Sequence, residues 1–316
     1  IMTSVAMDPT AVSRAFSPGH ITGFVVTKPT AINHNNNNNN LYVGSKGAGF
    51  SIDRGITTSV EIYDHKSINY QISINGIRVK DAEVSKWVLE EYLKLVDPHY
   101  YINIEHEISI PVGFGLGSSG SAALSLSYAL NEAFNIGLNT KEAAQIAHNA
   151  EIACKTGLGT VIAEFTGGFE MRTNAGAPGI GTIEKIEVKN HKVIIFCISP
   201  ISTKSFLRDR ICLADGLGEM MLQRLRVSRD IDDFLEMSYC FAHHLGLTEG
   251  RCKLPIQSLR SQGFECGVAL FGETLFTIVP NDHVKEAKEC LKSFKGSLIV
   301  CNIDNAGARN AFLKRI

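Results

Sequence analysis

No stretch of this chain stays apolar for the ~18 residues that a membrane-spanning helix needs. Nor does one sign of charge predominate: 31 Lys and Arg stand against 32 Asp and Glu, for a formal charge of −1. The first absence excludes a helical span within the sequence. The second removes the basic field that draws a protein to nucleic acid or to an anionic membrane, so any anion must be held by a local site. The eight cysteines form no CxxC pair and no Cys/His cluster at metal-ligand spacing, and several lie in apolar stretches such as VIIFCIS at 193–199. They predict free thiols in a reducing cytoplasm. The opening IMTSVAMDPTAVSR has no signal-peptide apolar core, which agrees with a cytoplasmic protein.

Apolar residues make up 44% and charged residues 20% of the 316. That is a globular balance, with length for two domains of about 150 residues each. TNAGAPGIG at 173–181 marks a boundary and gives units of 1–175 and 176–316. The asparagine-rich segment 33–40 offers neither periodicity nor apolar burial, and predicts a mobile surface loop. YQISINGIRVK alternates Ile72, Ile74, Ile77 and Val79 about Asn75-Gly76, a hairpin signal. EVSKWVLEEYLKLV sets Val84, Trp87, Val88, Tyr92 and Leu95 at helical spacing, with the tryptophan expected in the core. YINIEHEISI alternates Ile102, Ile104, His106, Ile108 and Ile110 as a strand, in which His106 reads as a satisfied buried imidazole. Beyond the boundary come two strands, helices across 215–246 and 253–262, strands within 264–279, a helix at 282–294 and a strand at 297–303. Antiparallel strands with helices gathered on one face make an α+β sandwich.

PVGFGLGSSGSAALSLSYAL at 111–130 reads as strand end, glycine loop and helix. Gly115 to Gly120 matches GxGxxG, but the glutamate at 142 that might complete a dinucleotide fingerprint lies in a helical pattern rather than at a strand end. A Walker A loop is excluded because no lysine follows the last glycine. Shared physics remains: glycines let backbone N–H groups approach an anion, and a helix N-terminus adds partial positive charge. Pro111, Gly113, Gly115, Leu116, Gly117 and Gly120 shape such a loop, and Ser118, Ser119 and Ser121 offer hydroxyls to a phosphate or to Mg²⁺. The alternative is a tight strand-to-helix turn with serine caps.

PVGFGLGSSGSAA resembles the second motif of the GHMP kinases (galactokinase, homoserine, mevalonate and phosphomevalonate kinases), usually written PxxxGLGSSAA. AFSPGHITGF at 15–24 resembles their first motif. Together with GSKGAGFSIDRGITT, KTGLGTVIAEFTGGFEMRT and CNIDNAGAR, these stretches are similar over most of the chain to archaeal members that phosphorylate pantoate. The resemblance implies a two-domain GHMP kinase fold, ribosomal-S5-like at the N-terminus and ferredoxin-like at the C-terminus. It also implies ATP and Mg²⁺ as cofactors, a small-molecule substrate and a possible homodimer. The reaction implied is ATP-dependent phosphorylation of the 4-hydroxyl of (R)-pantoate on a route to coenzyme A.

By the same resemblance Ser118 and Ser119 touch phosphate and Mg²⁺, and Glu151 is a Mg²⁺ ligand. His20 stands where many relatives have a lysine, and either takes part with the substrate or caps a turn. Ser17 and Thr22 are candidates for holding the substrate. Lys46 and Arg54 could each meet a carboxylate or only water. Gly267 and Gly272 in ECGVALFGETLF stand for the third motif. Position 160 holds threonine where these kinases carry a catalytic aspartate, so Thr160 either accepts a hydrogen bond from the substrate hydroxyl or caps the helix beginning VIAEF. Two other functions stay open: a non-catalytic relative that binds ATP or pantoate without turnover, and a kinase for another small alcohol, mevalonate-like or homoserine-like.

Overall fold

The computed structural model describes residues 8–27, 39–97, 99–157, 159–201 and 210–315. Positions 33–38 of the asparagine-rich segment therefore lie outside the described residues, and Asn39–Tyr42 form a 3-10 turn.

Two long strands, β1 (Ala11–Val26) and β2 (Lys46–Asp64), pair antiparallel along nearly their whole length and organise the larger sheet. The two halves of β2 have different partners. Its later half pairs β5 (Tyr100–Ile108), and its first residues pair β6 (Phe169–Asn174). The hairpin expected about Asn75-Gly76 is present as β3 (Asn69–Ile74) and β4 (Ile77–Arg78), with left-handed φ of 48° and 78° at the two turn residues. β3 lies parallel to β5. Two strands reach this sheet from beyond the expected 175/176 division. β7 (Thr182–Ile186) pairs β6, and β12 (Arg309–Arg315) returns to the edge beside β1.

Helices α1 (Glu83–Leu93), α2 (Ser118–Phe134) and α3 (Thr140–Ala153) bury apolar faces in one core with β1, β2, β3 and β5, including Val60, Ile62, Ile102, Ile104, Leu124 and Ala147. Asn139 caps α3 in a reciprocal capping box with Glu142. Trp87, expected in the core, is half-buried at its edge. Leu95 is not: α1 ends at Leu93, and Leu95 is 54% exposed in the turn that follows. His106 is buried and satisfied. Ser125 Oγ donates to Ser121 O at 2.7 Å, so Thr58 must donate to Ser125 at 2.7 Å and His106 Nδ1–H to Thr58 at 2.8 Å. His106 Nε2 then accepts from Ser85 Oγ at 3.0 Å.

The smaller sheet is antiparallel, in the order β11 (Ser297–Cys301), β8 (His191–Pro200), β10 (Gly272–Pro280), β9 (Gly267–Val268). β8 is buried on both faces, which is why its sequence runs apolar without alternation. Ile194 and Phe196 meet α7 (Lys253–Ser261) and α8 (Val284–Leu291). Val193, Ile195 and Cys197 join the central core with α5 (Asp215–Ser228), α6 (Ile231–His244) and Phe24 and Phe50 of the larger sheet. The fold class is α+β, as expected.

Candidate active site

The glycine loop between β5 and α2 takes the shape that its composition demands. Gly113, Gly115 and Gly117 have φ of 87°, 77° and 74°, a region that side chains disfavour, and Gly117 occupies the N-cap of α2. The loop is clamped from two sides. His20 N donates to Leu116 O at 3.0 Å, tying it to β1. From the smaller sheet, a Cβ added at Gly272 would lie 2.1 Å from Phe114 O, so glycine is needed there to admit the loop backbone. Gly272 is thus a close-approach position whose neighbour is protein, while Gly267 makes room for Phe276 and Ser238 in the core.

The loop forms one wall of a cleft of about 270 Å³ that is also lined by His20, Thr22, Ser45, Glu151, Thr156, Thr160, Arg172, Cys212 and Phe271. Of the residues read from the sequence, Gly113, Gly115, Leu116, Gly117, Ser118, Ser119, Gly120, Glu151, Thr160, His20 and Thr22 come together here. Others do not. Ser17 is fully buried in β1, and Ser121 is on the buried face of α2 with its hydroxyl donating to Pro18 O at 2.6 Å. Pro111 is half-buried outside the cleft lining. Lys46 is taken by an ion pair with Glu219 on α5, and Arg54 is exposed on β2.

Glu151, near the end of α3, collects hydroxyls. Ser119 Oγ donates to its Oε1, and Thr156 Oγ1 donates to the same oxygen at 2.5 Å. A nearly buried carboxylate beside two hydroxyl oxygens is a hard-donor set of the kind Mg²⁺ takes together with phosphate oxygens and water. Among the described residues no group of three or more His, Cys, Asp or Glu could hold a metal, so this single carboxylate is the ionic ligand on offer in the cleft. Thr160 begins α4 (Thr160–Thr166) with Gly159 in the cap position, so the threonine is the first helical residue and not the cap. Its methyl lies 3.1 Å from where a Cβ on Gly117 would be, and its Oγ1 3.5 Å from one on Gly157, which sets it between the glycine loop and Glu151.

Arg172, on β6, lines the cleft with Glu170 buried beside it, and sequence reasoning missed both. Antiparallel pairing of β2 with both β1 and β6 brings them beneath His20. Glu170 Oε1 accepts from Arg172 Nη1 at 2.5 Å and lies 2.8 Å from His20 Nε2. All three side chains are almost wholly buried. Burial alone would push the Glu170 carboxyl up, but the guanidinium and the imidazole hold it below its usual range. His20 is pushed down by burial, against the pull of Glu170, so the cluster is an ionised Glu–Arg pair with a neutral histidine. Arg172 lines the cleft, while its Nε is buried beside Gly159 with no hydrogen-bond partner. The available signal was two charges at i and i+2 flanked by Phe169 and Met171, in a strand buried on both faces. Nearby, His148 Nε2 lies 3.0 Å from Asn40 O and ties α3 to the turn that ends the asparagine run.

A family model described as the GHMP kinases N terminal domain matches residues 82–168, the stretch holding the glycine loop, Glu151 and Thr160. A protein named pantoate kinase from Methanocaldococcus jannaschii is 36% identical over 293 residues, covering 91% of this chain and 99% of that protein. A second of that name from Thermococcus kodakarensis is 30% identical, covering 88% and 91%. A solved structure described as a phosphotransferase related to the CoA biosynthesis pathway superposes with a TM-score of 0.84 at 25% identity, covering 95% of this chain and 98% of that one. The chain belongs to the GHMP kinases, whose two-domain fold it has. Within that family it is similar to the pantoate kinases over nearly its whole length.

Proposed function

We infer that this chain transfers the γ-phosphoryl group of ATP to the 4-hydroxyl of (R)-pantoate. The observation that carries the reading is the joining, in one cleft, of a glycine loop at a helix N-terminus with the guanidinium-bearing residue Arg172. The first suits a polyphosphate, and the second suits the carboxylate of a small hydroxy acid. Ser118 and Ser119 meet the phosphates, and Glu151 with Ser119 would hold Mg²⁺, which when bound neutralises phosphate charge. Glu170 fixes the Arg172 fork, and neutral His20, with Thr22 Oγ1 3.4 Å from its Nδ1, borders the acceptor's part of the cleft. Phosphoryl transfer depends mostly on positioning and electrostatics, so a cleft without a carboxylate at 160 keeps the larger part of the catalytic machinery. The relatives' names support a place on a route to coenzyme A, and eight unpaired cysteines fit a cytoplasmic setting.

Thr160 favours one second reading, a protein that binds ATP and pantoate without turnover. Incubation with ATP, Mg²⁺ and pantoate, mevalonate or homoserine separates the two: ADP formed with pantoate supports the kinase, and binding without ADP supports the other.

A further inference from the structure

Behind the glycine loop, outside the cleft lining, lies a second carboxyl group that the proposed reaction does not use. Glu164 of α4 is 0% exposed. A Cβ added at Gly117 would sit 2.5 Å from its Oε1, and one at Gly120 2.6 Å from its Oε2, so the group fills the space directly beneath the loop. Oε2 has no hydrogen-bond partner. Oε1 lies 3.2 Å from Ser121 Oγ, but that hydroxyl is already 2.6 Å from Pro18 O. A serine hydroxyl has one proton, and the shorter contact takes it. A hydrogen bond in the longer contact then takes its proton from Glu164.

We propose that Glu164 is a positioning residue of the glycine loop, which as a neutral carboxylic acid donates to Ser121 Oγ and supports the backbone at Gly117 and Gly120. The proposal rests on the reading of that loop as the phosphate site. Among the described residues its surroundings supply no counter-charge. Glu151 on α3 adds like charge, α2 presents serines, and the ring of His20 on β1 is turned to Glu170. On the C-terminal loop Asp304 is paired with Arg309 at 3.0 Å, and only the N–H of Ala308 reaches Glu164, at its backbone oxygen. Lys185 on β7 is spent on the carbonyls of Thr166 and Asn305. Burial, with Glu151 beside it, holds this carboxyl well above the usual carboxylate range, in agreement with the proton count. Neutrality also suits the location, because an ionised floor would repel the phosphates above it.

The test compares the parent with Glu164→Gln and Glu164→Ala, measuring ATP affinity by calorimetry from neutral to alkaline pH. Gln can donate to Ser121 as the acid does. It should therefore keep ATP affinity within about threefold of the parent at neutral pH, while Ala weakens it by about tenfold or more. The parent should lose affinity on the alkaline side as the acid ionises, and Glu164→Gln should lose less. A folded Glu164→Gln that binds about tenfold more weakly at neutral pH, or that falls in parallel with the parent, overturns the proposal. The second measurement needs no ATP and stands even where the phosphate assignment fails. In the parent labelled with carbon-13 at the glutamate side-chain carboxyls, NMR should show one carboxyl still protonated at neutral pH. If all are ionised, the proposal is wrong.

Discussion

Arg172 Nη1 lies 2.5 Å from Glu170 Oε1 with the two side chains only 2% and 0% exposed, so neither charge can be removed without stranding the other. Glu170→Gln should destabilise the protein by about 3–5 kcal/mol, the usual cost of an uncompensated buried charge, as read by chemical denaturation. Arg172→Lys keeps the charge but loses the planar fork. It should raise KM for pantoate by at least about tenfold while KM for ATP stays within about twofold. Equal effects on both substrates would remove Arg172 from the acceptor's side of the cleft.

Gly117 tests the phosphate assignment. Its φ of 74° and the 2.5 Å separation between an added Cβ and Glu164 leave no room for a branched residue. Gly117→Val should abolish measurable ATP binding, and Ser119→Ala, which takes one hydroxyl from Glu151, should weaken binding in the presence of Mg²⁺. Tight ATP binding by a folded Gly117→Val would show that the loop does not hold phosphate.

Thr160 faces Glu151 across the Gly157 backbone. An aspartate there would feel like charge, which raises a carboxyl toward the range of a useful base. Thr160→Asp should therefore increase kcat with pantoate by at least about tenfold, within the ~10² to 10⁴ that a general base supplies. Thr160→Ala should cost little stability, because the threonine does not cap α4. Steady-state ADP release by the three proteins at one pH decides. A folded Thr160→Asp that binds ATP and runs slower than the parent would place the base site elsewhere.

The glycine loop was legible because everything that shapes it is local: three glycines at alternate positions, a strand before and a helix after. His106 was legible for a similar reason, since strand alternation alone put it inward. The cluster of His20, Glu170 and Arg172 was not. His20 stands 150 positions from Glu170, and the two meet only because β2 pairs with β1 at one edge and β6 at the other. The return of β12 to β1 left no hydrophobic pattern, since every described residue of RNAFLKR is exposed and the strand is held by its backbone ladder. Glu164 was hidden in VIAEFT, where a single acid in a short helix reads as a surface residue until its burial is seen.

His106 gives the fold a pH dependence. Burial pushes its imidazole down to about 4 from an ordinary 6.5. Between those values the unfolded chain binds a proton that the folded protein refuses, so this stabilisation is complete above about 6.5 and lost as pH falls toward 4. The loss approaches ~3 kcal/mol at the acid end. Denaturation of the parent and of His106→Gln across this range should show a flatter acid limb in the variant. Parallel curves would mean that His106 does not titrate in this way.

The central claim is that the cleft phosphorylates pantoate, and the most direct measurement is phosphorus-31 NMR of a mixture of the protein, ATP, Mg²⁺ and (R)-pantoate. The expected result is ADP together with an equal amount of a new phosphomonoester on the 4-hydroxyl, and neither product when a chelator removes Mg²⁺. ATP and pantoate that bind but remain unchanged, or a phosphomonoester that forms on homoserine or mevalonate and not on pantoate, would contradict it.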